Sequence, residues 1–441
     1  MQENLKRTIG VFGLACAVVN ITVGTGIFFL PALVAENLGA AAIISFFICG
    51  ALIFLIALCF AEVGSKVTVS GGTYAYIETA FGPFAGFLAN NMFWLGSAVL
   101  GDAAVANALA KTLSYFWPAL DEIIYRSLFL LILFGGLAII NIRGVKYGVR
   151  FIVVTTIAKL IPLFLIIGFG VAHISAENLE WKTSLSLQNI GSSSLILFYA
   201  FIGIETVVTN GGEFKNPAKT VPMGILSGLV FVLLLYISIQ LVTQGILGDQ
   251  LHTFKDAPVA ATSNILFGNA GVTLVTVGIA VSILGMLSGE LLALPRLLFA
   301  GGRDGILPGF LSKVHTKYVT PYMAIVVYAA LDFLFAVFGG FKQLIILSSA
   351  ATLLIYLGVV LAAIKLRYSK SKQHEKSFTI PGGITVPLLA TATIIWLLSN
   401  LSMQEMTGIS IFILVLSAIF ILMKLYKNKK VRIAGGNKAI E

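Results

Sequence analysis

The sequence predicts an all-α membrane protein with twelve transmembrane helices, on three observations. Of its 441 residues, 58% are hydrophobic and only 11% are charged, whereas a soluble globular protein carries about 25% charged residues. The apolar residues, at a mean hydropathy of +0.98, gather into twelve stretches long enough as helix, alone or with tilt, to cross about 30 Å of hydrocarbon. None of the stretches alternates polar and apolar positions as the strands of a membrane barrel do. A soluble fold of this length would need far more polar cover.

The stretches fall at approximately 9–33, 40–63, 84–112, 125–141, 150–173 and 191–212, then 222–246, 270–300, 321–338, 342–364, 381–400 and 406–426. The fourth is short and is expected to begin earlier. The first follows Lys6 and Arg7 but runs on past Phe28 without a small-residue cleavage pattern, so it reads as a span and not as a removable leader. Cys16, Cys49 and Cys59 sit in apolar surroundings with no paired spacing, as buried small hydrophobes do. His173, His252, His315 and His374 are too scattered to form a metal site.

The net charge of +10 raises the question of an anionic partner, and its distribution answers it. Counting Lys and Arg in alternate loops puts 23 of 29 on the side of the termini, 5 on the opposite side, and Lys159 inside a span. That bias places both termini in the cytoplasm. The cations lie beside anionic headgroups, not with aromatics on one face, which excludes nucleic acid as a partner and leaves the lipid bilayer. No P-loop, dinucleotide fingerprint or Ser-His-Asp arrangement is present, so no enzyme is expected; Gly301-Gly302-Arg303-Asp304-Gly305 matches none of these.

Two spans are interrupted midway. The first carries Asn20-Ile21-Thr22-Val23-Gly24-Thr25-Gly26-Ile27-Phe28, and the sixth carries Tyr199-Ala200-Phe201-Ile202-Gly203-Ile204-Glu205. Each glycine costs a helix roughly 1 kcal/mol relative to alanine. In lipid, freed backbone groups are tolerated only against protein, water or a ligand. A break in the first span bares N–H groups at Thr25 and Gly26 that suit a carboxylate, while upstream carbonyls suit an ammonium. The competing reading takes Gly24 and Gly26 as helix-packing positions. Interruptions in the first and sixth spans together point to a duplicated five-helix unit, and because five is odd the second copy enters the bilayer inverted.

Ionisable residues inside the spans are the second clue: Glu62, Asp102, Lys159, Glu205, Glu290 and Asp332. Each charge facing lipid costs roughly 3 kcal/mol or more at the midplane, so they are expected to line water, pair or protonate. Glu62 and Asp332 are expected near the interface. Lys159 either supplies a fixed positive charge where other proteins bind sodium or snorkels to the headgroups.

Gly24-Thr25-Gly26-Ile27-Phe28 and Phe201-Ile202-Gly203-Ile204-Glu205 together carry a resemblance. Ser70-Gly71-Gly72-Thr73-Tyr74-Ala75-Tyr76, Glu213-Phe214-Lys215-Asn216-Pro217, and Arg296-Leu297-Leu298-Phe299 leading to Arg303-Asp304-Gly305-Ile306-Leu307-Pro308 extend it. In order and placement the chain resembles the amino acid–polyamine–organocation transporters over nearly its full length, nearest the bacterial exchangers of basic amino acids and polyamines. The resemblance implies an N-terminus at 1–8, five-helix repeats at 9–173 and 191–364, two appended C-terminal helices at 381–426, and a basic tail at 427–441. It implies a substrate carboxylate at Thr25 and Gly26, with the amino group on carbonyls of Thr22, Val23, Tyr199 and Ile202. Tyr199 stands where the arginine–agmatine exchangers carry a gating tryptophan. Glu205 matches an acid linked to proton sensing or coupling, and Lys159 matches the lysine that fills the sodium site of sodium-independent members.

Two positions depart from that pattern. Asp102 falls near a frequent asparagine and Glu290 near a second gating tryptophan. If both acids face the cavity they favour a cationic amino acid or a diamine; if they pair or protonate, a neutral amino acid fits equally. The expectation is an alternating-access transporter in a prokaryotic inner membrane, a monomer or homodimer, working by exchange or proton coupling, with no cofactor and without sodium. A channel or a non-transporting receptor is the rival reading.

Overall fold

The computed structural model describes residues 9–67, 72–143, 148–182, 185–208, 214–255, 257–303, 307–368 and 378–436. Among them the chain is helical throughout, with no strand beyond one isolated bridge between Ile9 and Phe214. The helices are α1 (Val11–Thr22), α2 (Gly26–Leu38), α3 (Ile43–Lys66), α4 (Gly72–Phe81), α5 (Pro83–Asn91), α6 (Leu100–Ser114), α7 (Ile123–Arg143), α8 (Gly148–Gly170) and α9 (Leu187–Phe198). They continue with α10 (Ile204–Val207), α11 (Pro217–Leu247), α12 (Pro258–Ala293), α13 (Pro295–Arg303), α14 (Tyr322–Phe338), α15 (Phe341–Tyr368), α16 (Thr385–Leu398) and α17 (Met403–Gly436). Proline opens α5, α11 and α12, where its missing N–H has no partner to lose. Ser186 caps α9 by accepting from the Asn189 N–H at 3.0 Å.

Among the described residues, eight helical segments are long and apolar enough to cross a bilayer, and four more apolar helices are shorter. This is a multi-pass membrane protein. The fourth stretch starts earlier than its hydropathy core, since α7 runs for 21 residues from Ile123. Between α5 and α6 the helix widens into a π-helical stretch over Met92–Val99, a geometry that recurs beside functional sites. The last helix, α17, is the most peripheral. It touches the body through Phe420, whose ring packs on Phe84 and Phe87 with centroids 5.2 Å away in each case.

The core forms where α11 packs along α1 and α3, α12 along α8, α14 along α7, and α15 along α6 and the π-helical stretch. Charges at helix ends tie these elements together. Glu62, fully buried near the end of α3, is held by Lys66 at 2.7 Å, by Arg367 at the end of α15 and by the Ile380 N–H at 3.1 Å. At the far end of α2, Glu36 pairs with Lys255 at 2.6 Å and Lys342 at 3.6 Å. Asp332 departs from the expectation of an interfacial position. It stands mid-way along α14 and is fully buried, because that face of α14 packs on α6 and α12. Ser70, Gly71, Glu213 and Asp304–Ile306 of the family-like motifs lie outside the described residues.

Candidate functional site

The first interruption is a true break. α1 has 12 residues and α2 has 13, about 18 and 20 Å of helix, so neither alone crosses the hydrocarbon. Between them Val23 leaves the helix at φ −74°, ψ 77°, and the Gly24 N–H turns back to the Thr22 carbonyl at 2.8 Å. The N–H groups of Thr25, Gly26 and Ile27 open α2 without a backbone partner among the described residues.

The second break follows the same logic with a stricter demand on sequence. After the tight turn Tyr199–Phe201, Ile202 is extended and Gly203 takes φ 138°, a conformation closed to side-chain-bearing residues. Glu205 then folds back to accept the Gly203 N–H at 3.1 Å, and the Tyr356 hydroxyl of α15 donates to the same carboxylate oxygen.

The two breaks interlock. A Cβ on Gly203 would stand 2.5 Å from Ile21 Cγ2, and one on Gly26 would stand 2.9 Å from Ala200 Cβ. Each break therefore closes on the other's neighbour, with glycine as the contact. The Tyr236 hydroxyl of α11 lies 2.7 Å from the Thr22 carbonyl and 2.9 Å from that of Ala200, bridging both breaks. Lys159 of α8 donates to the Asn20 carbonyl at 2.5 Å. Its ammonium sits at the C-terminal end of α1, where the helix dipole favours a cation, and the side chain does not snorkel.

Between the breaks lies a small cavity of about 60 Å³. Thr22, Thr25, Gly26, Tyr199, Ile202, Glu205 and Glu290 all reach its wall. Val23, Asp102 and Lys159 do not: Val23 is fully buried in the core, Lys159 is engaged on Asn20, and Asp102 stands one layer back. Asp102 accepts from the Tyr328 hydroxyl at 3.0 Å, while its neighbour Gly101 faces the cavity and its carbonyl accepts from Tyr199 at 3.3 Å.

Several wall and support residues went unnoticed in the sequence. The π-helical stretch brings Phe93 and Ser97 to the wall, and Ser348 of α15 joins them, donating to the Ser97 carbonyl at 2.8 Å. Tyr236 and Tyr356 stand among other hydroxyl-bearing residues in long apolar helices, so nothing in the sequence singles them out. No group of three or more His, Cys, Asp or Glu with metal-holding geometry occurs among the described residues.

The arrangement offers N–H donors at one break, carbonyl acceptors at the other, and two carboxyl groups, Glu205 and Glu290, in the wall. It is suited to seat a small zwitterion.

A family model described as amino acid permease matches residues 9–423. The chain is 30% identical to the serine/threonine exchanger SteT of Bacillus subtilis (strain 168) over 94% of its own length and 95% of that protein's. It is 28% identical to the methylthioribose transporter of the same organism, over 90% and 89%. It is 26% identical to the b(0,+)-type amino acid transporter 1 of Rattus norvegicus, over 90% and 82%. These relatives are transporters and none is an enzyme, though their cargoes differ.

Proposed function

We propose, from the premise that this chain belongs to the amino acid permease family, that it is a sodium-independent secondary active transporter of amino acids. It works by alternating access, as an exchanger or coupled to protons. The observation that carries this reading is the interlocked pair of broken helices around one cavity, with N–H groups at Thr25 and Gly26 that have no backbone partner among the described residues. A substrate carboxylate sits there, and the substrate amino group meets carbonyls of the two breaks. The Thr22 carbonyl already accepts from Gly24 and Tyr236, which favours Ile202 and Tyr199 as the ammonium's partners. Lys159 on the Asn20 carbonyl supports independence from sodium, since it supplies a fixed positive charge at the end of α1. Glu205, tied to both Gly203 and Tyr356, links the state of the sixth-span break to α15 and is the coupling residue.

In this reading the chain has twelve spans in two inverted five-helix repeats plus two C-terminal helices. Both termini are cytoplasmic, and the protein resides in a prokaryotic inner membrane as a monomer or homodimer. The lysine and arginine bias supports the orientation.

A second reading is favoured by Glu290, whose carboxyl faces the cavity with Asp102 behind it. An antiporter of a cationic amino acid and its decarboxylated amine, or of a polyamine, would use Glu290 for the distal cation. Counterflow in proteoliposomes with radiolabelled serine, leucine, arginine and putrescine, with and without a pH gradient, tests both. Saturable counterflow of an amino acid that needs no sodium is the expected result. Sodium-dependent uptake, or currents without saturation, contradicts it.

A further inference from the structure

A substrate cation at Glu290 leaves two deeper carboxyl groups without a role. Asp102 on α6 and Asp332 on α14 are fully buried, and both lie close enough to Glu290 on α12 for their charges to interact. Among the described residues, neither oxygen of Asp332 has a hydrogen-bond partner, nor has Oδ1 of Asp102. The cluster is thus three acids from three helices, one opening on the cavity and two sealed behind it. The carboxyls do not converge on a metal-holding point among the described residues.

No cation answers them in the ion pairs among the described residues, which join Glu62, Asp121, Asp249 and Glu36 to lysines and Arg367 near helix ends. The groups facing the cluster from its neighbours are acids and phenols. Tyr328 on α14 donates to Asp102, Tyr199 and Glu205 approach from the sixth-span break, and Tyr356 on α15 is spent on Glu205. Lys159 on α8 is turned to Asn20. Three ionised carboxylates at close quarters without a cation would repel one another strongly in such an interior, and sharing protons relieves that repulsion.

We propose that Asp102, Glu290 and Asp332 form a proton store that a cationic substrate group discharges. When the ammonium or guanidinium of a bound substrate docks on Glu290, one proton leaves the cluster through the cavity, so one positive charge enters as another departs. A neutral amino acid seats on the same backbone groups and releases none. The proposal rests on the transporter reading with a cation at Glu290, and it adds the two sealed carboxyls as the groups that set when the exchange happens. Asp332 is a positioning residue here, acting on Glu290 and Asp102 without touching substrate.

The test is calorimetric titration of the full chain in nanodiscs with L-arginine and with L-leucine, in buffers of different ionisation enthalpy, at pH steps of one unit. Arginine binding is expected to release one proton per site and to tighten close to tenfold per unit rise in pH while the cluster is protonated, because the proton competes with the cation. Leucine binding releases none and is flat with pH. Asp332→Asn removes one acid that competes for the protons of the cluster, and with it part of the repulsion those protons relieve, so the pH slope for arginine moves to lower pH while leucine affinity stays unchanged. The wild-type titration decides the matter even if that variant fails to fold. Arginine binding that is flat with pH, or equal proton release with leucine, overturns the proton store and leaves the transporter reading standing. Leucine binding without arginine binding removes the cation subsite and the proposal with it, and no binding of either ligand to folded protein removes the transporter reading as well.

Discussion

Gly203 carries the most exacting single-residue constraint in the site. Its φ of 138°, and the 2.5 Å that would separate an alanine Cβ from Ile21 Cγ2, leave no room for a side chain. Strained backbone of this kind costs about 1–3 kcal/mol before the clash is added. Gly203→Ala is expected to lower the melting temperature in detergent and to abolish counterflow; wild-type transport in that variant contradicts the break at this position. Tyr356→Phe keeps the ring and removes the donor to Glu205. A hydrogen bond to a charged or shared carboxyl contributes about 1.5–3 kcal/mol, so transport in this variant is expected to fall at least tenfold and its pH profile to shift, read by uptake across a pH series. An unchanged profile would remove Glu205 from the coupling role. At this scale the sequence was partly legible. Thr25, Gly26, Tyr199 and Glu290 reach the cavity because they sit at or beside the breaks or project into it, but Asp102 turns to Tyr328 while Gly101 takes the wall.

Elements explain why that turn was hidden. A helix apolar on all sides gives no periodic stripe to separate a lipid face from a protein face. The depth of Asp102 and Asp332 along their spans is readable from the sequence, but which neighbour they meet is set by the packing of α6, α12 and α14. The interfacial expectation for Asp332 failed for this reason: a mid-span acid on α14 is buried against other helices and not drawn toward headgroups. Glycine breaks were legible because they act on the backbone itself, whatever packs outside. The element-scale prediction concerns the tie between α3 and α15. Arg367→Ala strips the buried Glu62 of its guanidinium and leaves Lys66 as the remaining cation. Breaking a buried pair from one side costs about 3–5 kcal/mol when nothing else compensates. The variant is expected to lose several degrees of thermal stability in a detergent melt, with Glu62→Gln in the same chain recovering part of the loss. Additive loss in the double variant contradicts the pairing.

For the whole molecule, membership of the amino acid permease family and the cationic bias of alternate loops give one topology to test. Cysteines introduced on a background lacking Cys16, Cys49 and Cys59 report the side of each loop. Labelling by a membrane-impermeant reagent in intact cells is expected at Lys182 and Lys255, and at Lys313 and Lys427 only after the membrane is opened. The reverse pattern overturns the orientation. The multi-pass helical character was the most legible part of the sequence, since span length follows from bilayer thickness, which does not depend on tertiary packing. What the sequence withheld is the network that holds the breaks open: Tyr236 across the Thr22 and Ala200 carbonyls, Lys159 on Asn20, and Tyr356 on Glu205. All but the Tyr236–Ala200 contact join residues more than a hundred positions apart, and only the folded arrangement pairs them.

The most direct measurement is a cryo-electron microscopy map of the protein in nanodiscs with a saturating transported amino acid. The account predicts density for the ligand between the two breaks, its carboxylate within hydrogen-bond distance of the Thr25 and Gly26 N–H groups and its amino group on carbonyls of the sixth-span break. Ligand density elsewhere, with continuous helix through Val23–Thr25 and Ile202–Gly203, would contradict it.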